Sequence, residues 1–255
     1  MSMIISFANQ KGGVGKSTSA INVAAGIALK GKRVLLVDCD PQGNTTSGVG
    51  INKKNITRST YDVLISRCET QAAITPTGFD NLYIMPSNIS LAGAEFELVD
   101  SENREARLKK ALAPVKDGYD LIIIDCPPSL GLITVNALAC SDGIIVPMLC
   151  EYFSLEGLTQ LLMTVKEVKR RYNPSLQLTG ILITMYNGRL NLSQEVAAEL
   201  KKYYADKLFS TLIPRSVKIS EAPGFGEPIQ YYEKRGKGAE AYNAVCDEVI
   251  KRTGL

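Results

Sequence analysis

Short apolar runs alternate with longer amphipathic stretches along this chain. Ile4 to Ala8 and Val34 to Val37 read as the first two buried strands. Leu82 to Met85, Leu121 to Ile124, Ile144 to Val146 and Leu178 to Thr184 continue the series. Between them fall stretches with helical spacing. In residues 16–30, Ala20, Ala24, Ile27 and Ala28 share one stripe. Others fall near 104–116, 130–140, 154–172, 191–204 and 238–252. Strands separated by helices predict an α/β fold, a mostly parallel twisted sheet with helices on both faces. Right-handed crossovers follow from the twist of the sheet. The polar stretch Gly48 to Thr60 is expected to be a surface insertion, and Pro223 to Gly238 a loop rich in Gly and Pro. No repeat, low-complexity segment or linker interrupts the chain, so residues 1–255 are expected to fold as a single domain.

The sharpest local feature lies between the first strand and the first helix. It is Lys11-Gly12-Gly13-Val14-Gly15-Lys16-Ser17-Thr18. Glycines let backbone N–H groups converge on an anion, and a helix N-terminus adds its positive dipole end. In that setting Lys16 is expected to reach the β- and γ-phosphates of a nucleotide, and the Ser17 hydroxyl to ligate Mg²⁺. The plain P-loop pattern wants Gly five residues before Gly15, where this chain has Gln10. It fits the deviant form K-G-G-x-G-K-[ST] instead, which carries a second lysine, Lys11. Asp125 ends an apolar strand, where ligands gather in open α/β sheets, and could hold Mg²⁺ through water.

Composition narrows the chemistry. The 255 residues include no histidine, so Ser-His-Asp, Cys-His and HExxH systems are excluded. Six cysteines form no CxxC pair and read as reduced, mostly buried thiols. The chain starts too close to the glycine-rich loop for a signal peptide, and no apolar run approaches the roughly 20 residues that span a bilayer.

The motifs together resemble the ParA/MinD group of P-loop ATPases, and within it the chromosomal ParA proteins of the Soj type. They are Ala8 to Thr18, Val37-Asp38-Cys39-Asp40-Pro41-Gln42-Gly43-Asn44 and Ile124-Asp125-Cys126-Pro127-Pro128-Ser129. Gly180 to Tyr186, Ile213-Pro214-Arg215 and Glu221-Ala222-Pro223 follow in order, over nearly the whole chain. The resemblance implies a cytoplasmic, nucleoid-associated ATPase that uses ATP and Mg²⁺. It implies that Asp40 positions or activates the attacking water and that Asp38 supports the Mg²⁺ hydration shell. Lys11 has no evident task within its own subunit. By resemblance it reaches the partner's nucleotide in an ATP-dependent homodimer, with Gly12 at the close approach. Pro214 is the candidate for the base pocket. A ParB-like partner would stimulate hydrolysis, and control of replication initiation through DnaA is a further implication.

Charge adds one more element. The net +3 divides unevenly: residues 1–165 carry 14 basic and 16 acidic side chains, residues 166–255 carry 15 and 10. A basic surface can hold DNA phosphates without reading sequence. Arg215 lies in this basic third, and by resemblance Arg189 and Lys218 match DNA-contacting positions. Lys218 stands where the family commonly has arginine. The chain begins at the ATPase strand, without room for an operator-reading domain, so nonspecific binding is expected. Competing readings are a MinD-like membrane ATPase of division-site selection, a metabolic enzyme of the same superfamily, and a nucleotide-gated binding module with negligible turnover.

Overall fold

The computed structural model describes residues 2–255. Its strands are β1 (Met3–Phe7), β2 (Val34–Asp38), β3 (Thr75–Pro76), β4 (Leu82–Met85), β5 (Leu121–Asp125), β6 (Gly143–Met148) and β7 (Gln177–Ile183). They form one seven-stranded sheet in the order β3-β4-β2-β5-β1-β6-β7. Every pairing is parallel except β3 with β4. β1 is central, between β5 and β6, so the loop that follows it emerges in the middle of the carboxyl edge.

Both faces of the sheet are buried, which is why the central strands are continuous apolar runs. Successive residues still point to opposite sides. Ile4, Leu35, Val37, Ile122 and Ile124 pack into one apolar layer. Ile5, Phe7, Leu36, Leu121 and Ile123 pack into the other. The first layer is closed by helices Leu132–Cys140, Ser154–Arg171 and Asn191–Tyr204. The second is closed by helix Lys16–Leu29 and helix Lys237–Thr253, which pack together. Tyr242, Val245 and Val249 of the last helix are buried in that layer. Among the described residues, no helix is long and apolar enough to cross a membrane.

Two expectations about loops change. The segment after Pro223 is not open coil. It carries a 3-10 turn, Ala222–Phe225, and a short helix, Ile229–Tyr232. Asn22 of the first helix holds it in place: its Oδ1 accepts the Ile229 N–H (2.7 Å) and its carbonyl accepts Gln230 Nε2 (2.9 Å). Gly48 likewise ends a short helix, Asn44–Gly48, and the exposed stretch follows it. The sequence pattern also misses β3, two residues at the sheet edge that include Pro76. A proline is tolerated there because an edge strand can do without one donor.

Candidate functional site

The carboxyl ends of β1, β5 and β2 lie side by side. Asp125 pairs in register with Phe7 on one side and with Asp38 on the other. The loop after β1 curls into the start of helix Lys16–Leu29 through two left-handed glycines, Gly13 (φ 72°) and Gly15 (φ 81°). That backbone favours glycine, which has no Cβ to strain it. Thr184 braces the loop from behind, its Oγ1 donating to the Val14 carbonyl (2.8 Å). Asn9 steadies the entry, with Nδ2 on the Pro147 carbonyl (2.8 Å) and Oδ1 accepting the Lys11 N–H (3.0 Å).

A cavity of about 460 Å³ opens in front of this loop. Gly13, Gly15, Lys16, Ser17 and Thr18 line one wall, and Asp40 lies opposite. Pro223 and Gly224 form part of the rim, and Asn22 holds the same segment further on, at Ile229 and Gln230. Pro214, the base-pocket candidate, does not line this cavity; it pairs with Tyr186, just beyond β7. Lys16 is buried, and its ammonium donates to the Lys11 carbonyl (3.1 Å). Burial lowers its pKa, against the opposing pull of Asp125, Cys126 and Asp40.

The acids behind the cavity are fully buried and adjacent. Burial, then the facing Asp125 carboxylate, pushes Asp38 up to about 7. Burial pushes Asp125 up to about 6, against the Ser17 and Thr45 hydroxyls and Lys16. Asp38 has both oxygens engaged. Oδ2 accepts the Thr46 N–H (2.8 Å) and hydroxyl (2.6 Å), and Oδ1 accepts the Asp40 N–H (3.1 Å). Asp40 Oδ1 in turn accepts the Gln42 N–H (2.9 Å), which shapes the turn. Asp125 Oδ2 accepts the Thr45 hydroxyl (2.7 Å), and its Oδ1 is buried with no partner. An orphaned carboxylate oxygen beside a second acid fits a hard divalent cation such as Mg²⁺, which takes few protein ligands and completes its shell with phosphate and water.

Gly12 lines the cavity, while Lys11 lines a separate hollow with Asn9, Ser154 and Gly157. Lys11 forms a partly exposed ion pair with Glu151 of its own chain. A Cβ built on Gly12 meets nothing within 4 Å, so this chain leaves open space there. The basic candidates lie along the same edge of the sheet. Pairing of Tyr186 with Pro214 joins the loop after β7 to the segment that carries Arg215. Arg189 and Arg215 are exposed and form no ion pair among the described residues. Lys218 differs: its ammonium is bound to Glu221 (3.0 Å) and lies 5.6 Å from the Tyr232 ring. Arg170 and Arg171 are likewise paired, both with Glu167.

Comparison with known proteins agrees with this geometry. Residues 2–178 match the family model described as an AAA domain. The sporulation initiation inhibitor protein Soj of Bacillus subtilis is 52% identical over 249 residues, 98% of each chain. The chromosome-partitioning ATPase Soj of Treponema pallidum is 49% identical, over 100% of this chain and 99% of that protein. The chain is a ParA/Soj-type member of the ParA/MinD ATPase family. Its fold is that of the family's solved structures. One is described as cobyrinic acid a,c-diamide synthase of Mycobacterium smegmatis, with bound ADP and magnesium. It superposes with a TM-score of 0.87 at 36% identity, covering 100% of this chain and 97% of that one.

Sequence reasoning missed several residues of the site. Thr184 falls within a motif quoted for the family, but its bond to Val14 joins residues 170 apart. Thr45 and Glu151 carry no spacing signal, since their partners Asp125 and Lys11 are distant in the chain, and Thr46, eight residues after its partner Asp38, belongs to no motif.

Proposed function

We propose that this chain is an ATP-driven chromosome-partition switch. ATP and Mg²⁺ occupy the cavity, two copies close over their nucleotides, and the closed dimer holds double-stranded DNA without reading its sequence. A ParB-like partner stimulates hydrolysis and releases the DNA. The same switch bears on replication initiation through DnaA. It works in the cytoplasm on the nucleoid, and not at a membrane.

One observation carries this reading: a buried Lys16 lines the cavity while a second lysine of the same loop, Lys11, lies outside it and partly exposed. Loop amides and Lys16 hold the phosphates. Ser17 and Asp125 are the residues that would hold Mg²⁺, which when bound offsets phosphate charge. Asp40 lies on the wall where a water would be oriented. Phosphoryl transfer needs mainly positioning and charge stabilisation, so a site without histidine suffices. Asp38, with both oxygens engaged, acts by shaping the Asp40 turn rather than by joining the hydration shell. Lys11 crosses to the partner's nucleotide, as a cation that stabilises transferring phosphate.

Two rivals fit less well. A membrane-anchored ATPase needs a lipid-facing amphipathic helix, but the apolar stripe of helix Lys237–Thr253 is packed into the core. An amide-forming synthase that draws ammonia from glutamine needs an activated thiolate. Burial raises the pKa of all six cysteines.

The deciding measurement is DNA binding against salt in ATP and in ADP, with Lys16→Ala as control. Salt-sensitive binding in ATP alone, lost in the variant, is the expected result. Equal binding in ADP would overturn the mechanism.

A further inference from the structure

Two adjacent threonines hold the two buried acids. Thr45 Oγ1 donates to Asp125 Oδ2 (2.7 Å), and Thr46 Oγ1 donates to Asp38 Oδ2 (2.6 Å). Both belong to helix Asn44–Gly48, which begins four residues after Asp40. All four side chains are fully buried. The acids differ in what remains open. Asp38 is saturated by Thr46 and the Asp40 N–H, whereas Asp125 keeps one unpartnered oxygen, Oδ1.

A carboxylate turns about a soft, two-fold torsion, so its free oxygen is not fixed by the backbone alone. A donor locked onto one oxygen stops that rotation and sets where the other points. Thr45 is suited to this, because a β-branched side chain on a buried helix has few rotamers. We infer that Thr45 is a positioning residue for the cation: its hydroxyl holds Asp125 Oδ2 so that Oδ1 is presented to the metal. The same bond ties the helix behind Asp40 to the carboxylate that meets the cation. A rearranged Asp125 is therefore passed to the Asp40 turn through this one short helix. This inference rests on the reading of the cavity as a Mg²⁺–nucleotide site.

The test uses the full chain with ADP and titrates Mn²⁺ as the probe, following free Mn²⁺ by electron paramagnetic resonance. ADP affinity in EDTA is measured alongside. Thr45→Val keeps the shape and removes the hydroxyl; Thr45→Ser keeps the hydroxyl. Loss of a hydrogen bond to a charged group is expected to weaken Mn²⁺ binding about tenfold in Thr45→Val. Metal-free ADP affinity is expected to stay unchanged, and Thr45→Ser to bind Mn²⁺ as the parent does. If Thr45→Val does not fold, Thr45→Ala removes the same hydroxyl with less bulk and is read in its place. A parental Mn²⁺ titration in the variant overturns the inference. So does an equal loss of metal-free ADP binding. A parent chain that binds ADP with no help from Mn²⁺ overturns the underlying site reading instead.

Discussion

The Lys11 ammonium rests on the Glu151 carboxylate of its own chain, next to the exposed Gly12. Under the proposed function this pairing must break before Lys11 reaches a partner's nucleotide. Both side chains are partly exposed, and such pairs contribute at most about 1 kcal/mol. Two such pairs break per dimer, so Glu151→Gln is expected to strengthen the ATP-bound dimer by at most about thirtyfold, read by sedimentation velocity over a protein dilution series. A weaker dimer in the variant would mean that Glu151 serves the closed state.

The two lysines of the loop should separate cleanly. Lys16→Ala is expected to abolish ATP binding, since it removes the buried cation that faces the cavity. Lys11→Ala is expected to bind ATP like the parent but to lose dimerisation and turnover. Fluorescent-nucleotide titration beside steady-state hydrolysis makes the comparison. Parental turnover in Lys11→Ala would remove the case for a cross-subunit cation.

Gly12 and Gly13 are neighbours with different reasons for lacking a side chain. Gly13 has φ 72°, so valine there forces backbone strain of about 1–2 kcal/mol within the monomer. Gly12 has open space around its Cβ position. Gly12→Val is expected to leave the thermal midpoint and ADP affinity unchanged while blocking the ATP dimer. A lowered midpoint would place its defect inside one chain.

DNA affinity should depend unequally on the basic edge. Removing a cation that neutralises one DNA phosphate makes the slope of log affinity against log salt shallower by about 0.9. Arg189→Ala and Arg215→Ala, each removing two cations from the dimer, are each expected to make it shallower by about 1.8. Lys218→Ala is expected to show less, because Glu221 already holds its ammonium. Equal slopes for all three would mean that the Lys218 pair opens on DNA.

Removing the Asn22 clamp tests the cavity rim. Asn22→Ala leaves the buried Ile229 N–H without its acceptor, a cost of about 1–3 kcal/mol. Calorimetry is expected to show a lower unfolding midpoint, and nucleotide affinity should fall because Pro223 and Gly224 lose their support. Unchanged affinity would separate the rim from nucleotide binding.

Much of this architecture was legible in the residues. An unbroken apolar run such as Leu121 to Ile124 marks a strand buried on both faces. The Lys11–Thr18 glycine pattern between a strand and a helix announces its own chemistry. What was not legible is whatever depends on partners distant in the chain. Gly and Pro at 223–228 suggest an open loop, yet Asn22, 207 residues from Ile229, anchors it. Net charge located the basic third but could not show that Lys218 is paired with Glu221 or that Arg170 and Arg171 share the single carboxylate of Glu167. Local spacing reports which element forms; it carries no record of which side chains meet across the sheet.

Thr184 has one consequence of its own. Its hydroxyl touches the phosphate loop at Val14, and five residues later the connection after β7 turns at Arg189. Met185 between them is held at φ 50°, an uncommon posture for a side-chain-bearing residue. Nucleotide loop and basic edge thus share a single short strut, with no hinge domain between them. Lengthening that strut by two glycines should leave each end competent alone and make the two deaf to each other.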